Sequence, residues 1–203
     1  MKALEEFIEN EYQNISELIE QQQITYGLHR IHGQAHISRC IIIAENLLNL
    51  LISENDDTKK LQVYYAICFH DIGRKGECED IWQQESFDFC INYLSKKYDN
   101  EFVNNTANLM LKKNELNESI YSQIVYDTDC YDIMRSGTGR GGIYGFDKKY
   151  LKCFRANDFM QDKLIHFAWK LINLTDNNEY ENIYSLKKMY EKTSNEWKEY
   201  LIF

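Results

Sequence analysis

The sequence has 203 residues, 44% of them hydrophobic and 14% aromatic, enough for one compact core and too many for a disordered chain. Its formal net charge of −9 argues against a dedicated binder of nucleic-acid backbones, though local arginines or a cation can still hold a small phosphorylated substrate. Six cysteines without a CxxC pair, a Glu-rich start unlike a signal peptide and the lack of an apolar run near the roughly 20 residues that span a bilayer lead us to expect a soluble, cytoplasmic protein with reduced thiols and no membrane partner.

With no proline and nine glycines, five of them between Gly137 and Gly145, the chain reads as mostly helix. Residues 3–22 form a first amphipathic helix through Leu4, Phe7, Ile8, Ile15, Leu18 and Ile19. Residues 34–53 form a second through Ile37, Ile41, Ala44, Leu48 and Leu51. Asn55-Asp56-Asp57-Thr58 makes a polar turn with an N-cap, and a third helix follows to about Ile72. That helix is apolar nearly all round, which predicts central burial, with Gly73 placed to end it. Further helices are expected at 81–98, 100–113, 117–127, 129–135, 156–174 and 179–201, with a glycine-rich loop at 136–148. Trp82, Trp169 and Trp197 read as core packing, and the last helix as a packing or homodimer helix. The expected fold class is an all-α, single-domain helical bundle over residues 1–203.

Three stretches carry chemistry: His32-Gly33-Gln34-Ala35-His36, His70-Asp71 and Asp127-Thr128-Asp129. His70 and Asp71 end the most hydrophobic helix, where a buried carboxylate costs several kcal/mol unless it is paired or holds a cation. His36 shares the apolar stripe of its helix with Cys40, Ile43 and Ala44. Asp129 continues the apolar face of Ile120, Ile124 and Val125 toward the same point. Two imidazoles and two carboxylates suit one Mn, Fe, Co, Ni or Zn ion better than Mg or Ca. A single such residue is more often a hydrogen-bonded core group than a ligand; the order and helical setting of all four are what raise them above that.

The pattern resembles the HD-domain metal-dependent phosphohydrolases. His32-Gly33-x-x-His36-x-x-Arg39 resembles their opening motif, His70-Asp71-Ile72-Gly73-Arg74 their central one, and Thr128-Asp129-x-x-Asp132-x-x-Arg135 their third, together covering about residues 28–155. The C-terminal helices, 156–203, would pack on that core. The resemblance implies an HD-type bundle, metal ligation by His36, His70, Asp71 and Asp129, and hydrolysis of a phosphomonoester or phosphodiester, with a nucleotide as the substrate class. Asp71, or another carboxylate behind the ligands, would orient or deprotonate the attacking water. His32, four residues before His36, could sit behind the ligands, give a proton to the leaving group or simply start the helix. Arg39, Arg74, Lys75, Arg135 and Arg140 are candidates to hold phosphate oxygens, Arg39 and Arg135 equally to pair with local carboxylates, and Arg140 from a loop able to close. The lack of a histidine between His70 and His166 favours one metal over two and argues against di-iron oxygenase chemistry. Arg74 stands where some relatives carry an acid, leaving Glu77, Glu79, Asp80 and Glu85 as substitute bases. The rival reading is a nucleotide- or metal-binding regulatory module without turnover.

Overall fold

Helical periodicity at the N-terminus becomes a continuous run of α1 (Lys2–Phe7), a π-helical turn (Ile8–Tyr12) and α2 (Gln13–Thr25). The wider π turn shifts the register so that Leu4, Phe7, Ile8, Tyr12, Ile15 and Ile19 all end up buried. The run continues past residue 22 and stops at a Schellman motif, in which Leu28 N donates to Gln23 O and Gly27 N to Ile24 O. Gly27 takes the left-handed conformation there, φ 72°. The computed structural model describes residues 2–28, 32–53, 56–76, 82–111, 119–136, 143, 146–176 and 186–201, with side chains except at 2, 175–176 and 194–201.

Helix α3 (Gln34–Leu51) starts at Gly33, which has no side chain to cap it. The neighbouring helix supplies the cap: Glu20 Oε2 accepts from Gln34 N at 3.2 Å. Tyr12, placed by the π turn, shares a 2.7 Å hydrogen bond with Ser38, so the turn of α3 that carries His36 is tied to the N-terminal run. Helix α4 (Asp57–Phe69) is capped by Asp56, whose carboxylate accepts from Lys59 N at 3.0 Å. It is buried continuously from Gln62 to Phe69, as its all-round apolar profile requires. Tyr65 meets Phe7 edge-on at 5.3 Å and Phe102 at 6.2 Å, joining α1 and α6 to this central helix.

Helix α4 ends at Phe69 rather than Ile72. His70 Nδ1 bonds Ile67 O at 2.7 Å, and tight turns follow, with Ile72 N on Phe69 O and Arg74 N on Asp71 O. Gly73 matters for a different reason from the expected helix stop. Its N donates to Ser86 Oγ at 2.9 Å, and a Cβ there would lie 2.6 Å from Trp82 O, so only glycine permits this approach.

The chain continues through α5 (Trp82–Leu94), α6 (Asn100–Leu111), α7 (Ile120–Asp132) with a 3-10 turn (Ile133–Ser136), a second 3-10 turn (Lys148–Tyr150), α8 (Asp158–Asp176) and α9 (Leu186–Leu201). The two helices expected at 117–127 and 129–135 are one: Ser119 caps α7, which runs unbroken through Thr128. Helices α3, α4 and α7 pack on one another at the centre; α6 lies on α4 and α5, and α8 and α9 on α3. One apolar cluster runs through all of these contacts. The fold is all-α in a single domain, with no strand among the described residues and no described helix long and apolar enough to cross a membrane. Cys40, Cys68, Cys90, Cys130 and Cys153 are not joined in disulfides, and Cys78 lies outside the described residues.

Candidate active site

The ends of α4 and α7 and the start of α3 meet at one point. His36, His70, Asp71 and Asp129 each direct a ligand-capable atom there, all within 4.8 Å of one another. His36 Nε2 lies 3.3 Å from His70 Nε2 and 3.8 Å from both Asp71 Oδ2 and Asp129 Oδ1. His70 Nε2 lies 3.3 Å from Asp71 Oδ2 and 3.8 Å from Asp129 Oδ1. Three of the four are buried, whereas the Asp129 side chain is 39% exposed and opens the cluster to solvent. The unbroken α7 is what brings Asp129 to the point and sets Asp132 one turn further along.

Asp71 is the least satisfied group. Neither oxygen receives an aligned hydrogen bond, although His32 Nδ1 stands 2.7 Å from Oδ2 and Arg74 Nε 3.5 Å from Oδ1. Burial pushes its carboxyl up, but the imidazoles of His70 and His32 outweigh burial and hold it well below the ordinary carboxylate value. Such a carboxylate is ionised, desolvated and turned toward a gap between imidazoles. His36 is lowered to about 4, first by burial and then by the Arg135 charge, with Asp132 pulling the other way. The imidazole is therefore neutral and able to present a lone pair.

His32 joins the cluster, buried against Asp71 with its ring edge-on to His36 at 5.7 Å. Arg74 stacks on Trp82, 3.7 Å from the ring centroid, and its Nε is buried without an acceptor. Trp82 thus carries an arginine at the rim and is not the core residue its composition suggested; Trp169 does pack on the core. Arg135 Nη1 donates to the Asp132 carboxylate at 2.7 Å and to its carbonyl at 3.0 Å, while Nε has no acceptor. Arg39 corrects the phosphate-holding expectation: it is 2% exposed and forks onto Asp132, with Nε on Oδ1 at 2.5 Å and Nη2 on Oδ2 at 3.0 Å. Lys75 and Glu85 pair with each other at 2.9 Å, both side chains exposed. His166 is exposed. His29, Glu77, Glu79, Asp80, Arg140 and its loop at 137–142 lie outside the described residues, as does the Trp197 side chain.

Two contributors had no role in the sequence reading. Gln23 donates to Asp71 O at 3.1 Å from α2, a contact that no spacing announces. Asp127 points away from the cluster and receives Lys152 N at 2.8 Å and Cys153 N at 2.7 Å, clamping the 151–154 turn to α7. A second group, His36, Cys40 and Asp132, also lies within 4.8 Å, but the Asp132 oxygens are filled by arginine donors.

Fold and site together define an all-helical protein with a buried imidazole–carboxylate centre that opens to solvent on one side. Within that class the chain belongs to the SidE phosphodiesterase (PDE) domain family, whose model matches residues 5–183 and so includes every residue of the cluster. It is thus a phosphodiesterase domain, which selects the diester from the two ester types expected. No curated protein and no solved structure matches the chain.

Proposed function

We propose that this domain hydrolyses a phosphodiester of a nucleotide type at the His36, His70, Asp71 and Asp129 cluster, in an HD-like arrangement holding one divalent transition metal. The observation that carries the reading is the Asp71 carboxylate, buried with neither oxygen in an aligned hydrogen bond and facing two imidazole Nε2 atoms. The donor set fits Mn, Fe, Co, Ni or Zn, and spacings of 3.3–3.8 Å between donors are close to the roughly 3–3.4 Å expected around an ion with bonds of about 2.1 Å. Such an ion would acidify a bound water and polarise a phosphoryl oxygen. Asp71 orients the attacking water. His32, with Nδ1 2.7 Å from Asp71 Oδ2, is the group placed to give a proton to the leaving oxygen. Arg74 and Arg135, each with a buried Nε lacking an acceptor, flank the cluster as donors to the non-bridging oxygens.

Purified protein should cleave an aryl phosphodiester with multiple turnover, and His70→Ala or Asp71→Ala should abolish both cleavage and bound metal. Unchanged turnover in those variants would remove the assignment of the site. Chelation should stop the reaction and Mn should restore it; full turnover after chelation would remove the metal and leave the diesterase. The rival, a nucleotide-binding module without turnover, predicts a thermal shift with nucleotide and no product.

A further inference from the structure

Asp132, the last residue of α7, has no exposed surface and takes four donors on its carboxylate. Arg39 Nε reaches Oδ1 at 2.5 Å, while Arg39 Nη2 at 3.0 Å, Arg135 Nη1 at 2.7 Å and His36 Nδ1 at 2.7 Å converge on Oδ2. A carboxylate that only had to satisfy two arginines would need no imidazole. We propose that Asp132, gripped by Arg39 and Arg135, is a positioning residue that locks His36 as the Nδ1–H tautomer and aims its Nε2 lone pair into the reaction centre. The meaning of that centre rests on the function proposed above; the tautomer does not.

An ionised carboxylate can only accept, so the hydrogen shared with His36 must sit on Nδ1. Three guanidinium N–H groups, from Arg39 and Arg135, already donate into the two oxygens of Asp132, which leaves it only acceptor positions to offer the ring. A neutral imidazole has one N–H, so Nε2 is left with its lone pair. His70 carries its Nδ1 hydrogen for a separate reason, because the Ile67 carbonyl that meets Nδ1 at 2.7 Å is also acceptor-only. Without a further proton on either ring, two lone pairs would face each other across 3.3 Å, beside Asp71 Oδ2. Such an arrangement needs a positive charge between the acceptors, a cation or a shared proton, and it is Asp132 that obliges His36 to take part. Among the described residues the competing neighbour is Cys40 Sγ, 3.6 Å from His36 Nδ1, a weak partner whose thiol is pushed up by burial.

Nitrogen-15 NMR of histidine-labelled, metal-free protein at neutral pH reads each tautomer directly. In the unmodified protein His36 and His70 should both be Nδ1–H. In Asp132→Asn the His36 signal should lose that form while His70, held by Ile67 O, keeps it. With a diester substrate, kcat of Asp132→Asn should fall about 10–100-fold with little change in KM, the range typical of partners that orient a ligating histidine. An Nε2–H tautomer at His36 in the unmodified protein overturns the proposal, as does an Nδ1–H signal that survives Asp132→Asn. If Asp132→Asn does not fold, the spectrum of the unmodified protein decides alone. Turnover with the wrong tautomer defeats only this inference; the right tautomer without turnover on any diester defeats only the enzymatic reading.

Discussion

At the scale of single residues, the chemistry is set by how much water each group loses and what replaces it. His36 loses nearly all of it and is neutral above about pH 4, since its value falls to about 4 from the ordinary 6.5. Between those two pH values the unfolded chain binds a proton that the native chain does not, so this residue's contribution to stability grows as pH rises through the window and is lost as pH falls. The gap in unfolding free energy between metal-free protein and His36→Gln should widen by about 3 kcal/mol from pH 4 to pH 7 in urea titrations. A gap that stayed flat would mean that His36 titrates alike in the folded and unfolded chain. Asp127 works in the opposite sense. Burial raises it to about 6 despite two backbone donors, so its stabilising share is present below its ordinary value of 3.8 and declines as pH rises through 6. The two terms are similar in size, and the unmodified protein should show a flatter profile between pH 4 and 6 than either residue alone would give.

At the scale of elements, the site depends on how α4 ends. Phe69 closes the buried helix, and the tight turns through Gly73 carry His70 and Asp71 toward the cluster and Arg74 toward Trp82. Because a Cβ on Gly73 would meet backbone atoms, Trp82 O at 2.6 Å and Ser86 N at 2.8 Å, α5 cannot give way by a side-chain rotation. Gly73→Ala should cost about 2 kcal/mol of stability and should raise KM by displacing Arg74 on Trp82. Equal midpoints in denaturant for this variant and the parent would show that α5 moves freely against the turn. Gly27 is a different case. Space is open around it, and only its left-handed backbone, φ 72°, is at stake, so Gly27→Ala should cost no more than about 1–2 kcal/mol and leave turnover intact.

At the scale of the whole molecule, the cluster is assembled from three helices far apart in the chain, so any ligand that bridges them holds the bundle together. Donors from α3, the end of α4 and α7 all contribute, and these are the helices that pack on one another at the centre. Binding of Mn or Co at one hundred times its dissociation constant should stabilise the fold by about 2.7 kcal/mol, seen as a rise in Tm. Asp129→Ala should lose that rise with little change in the metal-free Tm, because its side chain is 39% exposed and carries little of the core. A Tm that does not move with any transition metal would point instead to a proton shared among the acceptors.

The sequence by itself determined the all-helical class, the burial of the third helix and the identity of the four converging residues. Each of these follows from local rules: apolar spacing, a scarcity of glycine and proline, and polar groups at places that disfavour them. It misplaced what depends on contacts between elements. The break expected at residue 128 is absent from the continuous α7: Asp127 is satisfied by the 151–154 turn and Thr128 by Val125 O, contacts that offset the poor helix propensity of both residues. Arg39 was legible as a cation that holds either phosphate or a carboxylate, and only packing across α3 and α7 decides for the carboxylate of Asp132. The diester chemistry entered through kinship with a family rather than through spacing. Only the tertiary structure decided which nitrogen of each histidine faces the centre, because that depends on whether an acceptor stands behind the ring, and the acceptor behind His36 is 96 residues away in the chain.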